Sequence, residues 1–147
     1  MKKLLSLIIV SAALLVAQPA LANSPTNQFA NCLVDTLNGK ERKNLAKWIF
    51  LAIGSHPEIS SYSNATSETI EESDKYVGKL VTRLLTEDCP TQLAAALKAD
   101  PLAINKGFEL VGQVAMQELM ANPATMSALT NYTKYTDQAK INALLGQ

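Results

Sequence analysis

Apolar residues along this chain recur at helical spacing, and the alternation that marks strands is missing throughout. The densest stretch is Leu45-Ala46-Lys47-Trp48-Ile49-Phe50-Leu51-Ala52-Ile53, in which only Lys47 is polar. A segment apolar on almost every side belongs in an interior, so it is expected to form a central helix wrapped by others. Asn38, with Glu41 three residues on, predicts a capping box at its start. Gly54-Ser55-His56-Pro57 predicts its end, because glycine closes helices and the residue before proline leaves the helical region.

Upstream, Ser24-Pro25 reads as an N-cap followed by proline at the first helical position. Phe29, Cys32, Leu33, Thr36 and Leu37 follow at spacings of three and four. Asn38-Gly39 is expected to end this first helix through a left-handed glycine. Downstream, a short turn at Pro57 and a polar loop lead to the clearest amphipathic pattern, Ser67 to Glu87, with Ile70, Val77, Leu80, Val81, Leu84 and Leu85 on one stripe. Glu68, Glu71, Glu72 and Asp74 crowd its start, where acids complement the helix dipole. They read as a solvated face, since a calcium loop would intersperse ligands with a turn glycine. Gly78 within this helix costs about 1 kcal/mol relative to alanine and leaves room for a close neighbour.

Pro90 to Lys98 predicts a short alanine-rich helix. A longer one is expected from Pro101 to about Ala121, with Leu102, Ile104, Phe108, Val111, Val114, Ala115 and Leu119 inward. Met116, Met120 and Met126 are expected to fill the core, a plastic binding surface being the alternative. Asn122-Pro123 breaks the pattern. Ala124 to Leu129 forms another short helix, Thr130 to Tyr135 a loop, and Thr136 caps a last turn or two carrying Ile141, Leu144 and Leu145. The predicted fold is all-α: a small single-domain helical bundle of five to seven helices with one disulfide.

Compartment comes from the first residues. Basic Lys2-Lys3, an apolar run from Leu4 to Ala17, and Ala20-Leu21-Ala22 make a secretory signal peptide over 1–22, cleaved near Ala22-Asn23. The run falls short of the about 20 apolar residues of a membrane span, so no stable membrane insertion is expected after cleavage. The product, 23–147, is expected to be one domain in the periplasm or secreted. There, Cys32 and Cys89 read as a disulfide. Closing that loop is worth about 4 kcal/mol on chain-entropy grounds. A zinc site would want further Cys or His ligands, and a redox pair the Cys-x-x-Cys spacing.

Charge changes the picture little. Lys and Arg number 13, as do Asp and Glu, and loss of Lys2 and Lys3 leaves a slight acidic excess. That balance argues against nucleic acid as a partner. His56, the single histidine, reads as a helix-end residue favoured near carbonyls when charged. No Gly-x-Ser-x-Gly elbow, His-Glu-x-x-His or phosphate loop is present, so no catalytic residue, metal or cofactor is predicted.

Lys40, Arg42, Lys43 and Lys47 stand apart. Cations at a helix start oppose the dipole, so local stability does not account for them. With Trp48 beside them they form a candidate partner patch. The function expected is that of a non-enzymatic protein-binding module. The alternatives are a periplasmic stress chaperone or a toxin-immunity protein, then a small apolar-ligand carrier or an enzyme. In gross outline alone (signal peptide, small helical domain, one disulfide) the chain resembles periplasmic acid-stress chaperones and small periplasmic immunity proteins. A cavity beside Trp48 would favour the apolar-ligand carrier.

Overall fold

The computed structural model describes residues 24–146, so the expected signal peptide lies outside the described residues. Within them the chain is all-helical, with eight α-helices and no strand. They are α1 (Pro25–Thr36), α2 (Gly39–Gly54), α3 (Pro57–Ser60), α4 (Ser67–Arg83), α5 (Pro90–Ala99), α6 (Ala103–Met120), α7 (Pro123–Thr130) and α8 (Gln138–Leu145). A π-turn, Leu84–Asp88, extends α4, and a 3-10 turn, Asn131–Tyr135, follows α7. The count exceeds the expected five to seven because the segments at Pro57 and after Thr136, read as turns, are short helices with caps of their own.

Proline does much of the punctuation. Pro25, Pro57, Pro90 and Pro123 each open a helix, where a missing N–H costs nothing. Ser24 Oγ accepts from Asn27 N–H at 3.2 Å, and Thr66 caps α4 the same way through Thr69. Gly39 does not end α1. It begins α2, and the left-handed glycine among the described residues is Gly146, which closes α8 at φ 68°. The α1–α2 joint needs no left-handed residue because Leu37 and Asn38 are both extended. Thr136 does not cap α8; Asp137 does, its Oδ1 accepting from Lys140 N–H at 3.1 Å.

The core gathers Phe29, Leu33 and Leu37 of α1, Leu45 and Ala46 of α2, and Val77, Leu80 and Leu84 from the α4 end. Ala96, Ala103, Val111 and Ala115 complete it from α5 and α6. α1 lies against α5 and α6, and α2 lies between α4 and α6. The close approach occurs at Gly107, not Gly78. A Cβ at Gly107 would stand 2.7 Å from Phe29 Cε1, whereas one at Gly78 would meet nothing within 4 Å. The α6 stripe departs from expectation at its start, where Ala103 and Gly107 are buried while Leu102 and Ile104 are exposed; Val111 and Ala115 are buried as expected. Small residues face α1 because that interface is too close for larger ones.

The Cys32 and Cys89 sulfurs are 2.00 Å apart, at disulfide distance. The π-turn delivers Cys89 to this position: its widened last loop, closed by Cys89 N–H to Leu84 C=O at 3.0 Å, carries the chain from α4 into α5. Among the described residues no helix is long and apolar enough to cross a membrane.

Two expectations about burial are corrected. α2 is not wrapped on every side. Leu45, Ala46 and Leu51 are buried, but Phe50 is 59% and Ile53 53% exposed, because α4 and α6 cover one side and, among the described residues, no long helix crosses the other. Met116, Met120 and Met126 are not core filling; all three are exposed on α6 and α7. The reason is the same: the chain beyond Met120 leaves the body instead of folding back over it.

Candidate functional site

Between α2, α4 and α6 the helices do not close. They leave an open cleft of about 320 Å³. α2 contributes Leu45, Trp48 and Ile49, one face of a helix at i, i+3 and i+4. From α4 come Val77 and Val81, and from α6 come Phe108, Val111 and Gly112. Every lining residue is apolar or glycine. The volume falls in the range of pockets that take small molecules or a partner's side chain, roughly 300–1,000 Å³.

Trp48 sits at this cleft with its polar edge already engaged. Its Nε1–H donates to Asp74 Oδ1 at 2.7 Å, tying the indole to α4. The ring is therefore held in place while its carbon surface lines the cleft, a preorganised aromatic wall. Gly112 keeps the floor open: a Cβ there would meet nothing within 4 Å.

The five residues of the sequence-derived patch point to different neighbours. Lys40 is exposed in the first turn of α2. Arg42 Nη2 donates to Val34 C=O at 3.1 Å, supplying a partner for a carbonyl in the last turn of α1. Thus one cation at the start of α2 serves the end of the preceding helix, where positive charge is favourable. Lys43 Nζ lies 3.7 Å from Glu118 Oε1 of α6. Lys47 lines a smaller polar recess of about 180 Å³ with Asn44, Glu72, Ser73 and Tyr76. Lys47 and Trp48 thus lie toward α4, Lys43 toward α6 and Arg42 toward α1.

Glu41 is the charged residue most deeply placed near this end of α2, at 8% exposure. Its Oε2 accepts from Asn38 N–H at 3.0 Å, while Asn38 Oδ1 accepts from Glu41 N–H at 3.1 Å, so the expected capping box forms. Its other oxygen lies 3.0 Å from Arg83 Nη1. Arg83 Nε also lies 2.9 Å from Asp88 Oδ2. The Glu41 carboxylate, with Asp88 adding to it, holds the guanidinium above its ordinary value. This triad fastens the start of α2 to the end of α4, beside the cysteine bridge.

His56 is exposed and serves a helix start, not a helix end. Its Nδ1 accepts from Glu58 N–H at 3.2 Å, capping α3. Among the described residues no group of three or more His, Cys, Asp or Glu side chains is placed to hold a metal ion.

Sequence reasoning placed Val77, Val81, Phe108 and Val111 on inward stripes but did not foresee that they would leave a gap. Gly112 carried the available signal: a residue without a side chain inside an otherwise apolar helix face. No protein-family model matches the chain, and no curated protein or solved structure shows significant similarity to it.

Proposed function

We propose that this protein is a non-enzymatic binding module of an exported compartment, and that the α2–α4–α6 cleft receives an apolar side chain of a protein partner. The observation that carries this reading is the cleft itself: open, apolar on all three walls, and faced by a tryptophan that a hydrogen bond holds still. Aromatic residues at the centre of a desolvated pocket are the usual anchors of protein interfaces. Lys47, at the neighbouring recess with Glu72, supplies a charged rim that can set orientation.

Gly112→Leu tests the proposal. The new side chain enters open space, fills the cleft, and replaces a glycine with a strong helix former, so the fold is kept. Co-purification from an extract of the exported fraction should yield a partner that Gly112→Leu and Trp48→Ala both lose. A partner retained by both variants removes the cleft from the interface.

The position of this apolar cleft beside Trp48 also favours a second reading, a carrier for a small apolar ligand. Trp48 fluorescence separates the two. A saturable change on titration with a medium-chain fatty acid, absent in Gly112→Leu, supports the carrier; no change supports the protein partner.

A further inference from the structure

Beyond α6 the chain turns apolar side chains outward. α7 touches α6 and the 3-10 turn, and α8 packs on no other helix among the described residues. An eight-residue helix without tertiary support is not stable in water, where isolated helices need about 12–15 residues to be even marginal. α8 is nonetheless well capped, by Asp137 at its start and Gly146 at its end. It lacks only a surface to lie on.

The size of the uncovered face indicates what that surface is. Leu129, Tyr132, Tyr135, Ile141, Leu144 and Leu145 are between 41% and 89% exposed. Summed at about 180 Å² per fully exposed side chain they expose roughly 700 Å² of surface, close to the ~800 Å² each partner contributes to a standard interface. The arm is also poor in charge. From Pro123 onward it carries only Lys134, Asp137 and Lys140, and Lys140 Nζ lies 3.2 Å from Asp137 Oδ2. Charge depletion marks interface cores, and a nearly neutral surface meets its own copy without repulsion.

We infer that residues 123–146 form a self-association arm: α7, the 3-10 turn and α8 of one copy lie against the same residues of a second copy about a two-fold axis. Such an interface uses one patch twice, so a single near-neutral apolar face is sufficient to build it. The α2–α4–α6 cleft lies outside this contact, and the inference does not rest on the function proposed above.

Sedimentation velocity on residues 23–147 across the micromolar range tests it. The wild-type chain should be a dimer. Leu144→Glu and Leu129→Glu, both at exposed positions and so neutral to the fold of the body, should each raise the dissociation constant at least tenfold. Gly112→Leu, which fills the cleft, should leave the dimer intact. A wild-type chain that stays monomeric overturns the inference, whether or not its arm then binds lipid vesicles or another protein. So does a dimer that survives both arm substitutions, or one lost on filling the cleft.

Discussion

At Gly107 an added methyl group would stand 2.7 Å from Phe29 Cε1 and 3.1 Å from Leu33 Cδ1, both side chains fully buried. Neither neighbour can yield without moving α1, so the gain in helix propensity from alanine is overridden. Gly107→Ala should destabilise the protein by about 1–3 kcal/mol in urea unfolding. Gly78→Ala, in open space, should stabilise it by up to about 1 kcal/mol. Glu41 is the other residue on which much depends. Truncation to alanine removes half of a capping box and one of the two carboxylates beside Arg83, leaving Asp88 alone. A loss of about 2–3 kcal/mol is expected from thermal unfolding. Of these residues, sequence exposed the Asn38–Glu41 box, which is a local pattern. It did not expose Gly107 or the Glu41–Arg83 pair, since both depend on which helices meet.

Between elements, the joint of α5 and α6 depends on Asp100. Its Oδ1 accepts from Leu102 N–H at 2.9 Å, and its Oδ2 lies 2.6 Å from Lys106 Nζ. Lys106 first, and the Leu102 amide second, hold this carboxyl below its ordinary value. A group whose folded value is depressed contributes stability that is fully present above the unfolded carboxylate's pKa, about 3.9, and is lost as pH falls through the lower folded value. Amide exchange in the first turn of α6 should therefore accelerate as pH falls below about 4, after correction for intrinsic rates. Asp100→Asn, which keeps the acceptor for Leu102 but not the ion pair, should flatten that dependence. Helix positions were largely readable from the chain, because prolines and caps act within a few residues. Which side of a helix is covered was not readable. Phe50 and Ile53 are as apolar as Leu45, and their exposure follows from which helices pack on α2 among the described residues, α4 and α6 on the other side.

For the whole molecule, all-helical architecture and the Cys32–Cys89 pairing followed from spacing and count. The cleft and the extended arm did not, since both are places where helices fail to meet. Reduction of the Cys32–Cys89 bridge, or the Cys32→Ser/Cys89→Ser double variant, should lower unfolding free energy by about 4 kcal/mol, read from denaturant midpoints. The packing of α1 on α5 and α6 also sets an order of events. The first helix of the body has no stable place until the chain through α6 has been laid down, so its docking closes the longest loop in the fold and comes late. With the bridge intact, α1 is already tethered beside the start of α5, and the remaining search is short. Refolding in stopped flow should then be roughly tenfold faster for the oxidised chain than for the reduced one. Gly107→Ala, which obstructs that same docking of α1 on α6, should slow refolding as well as speed unfolding.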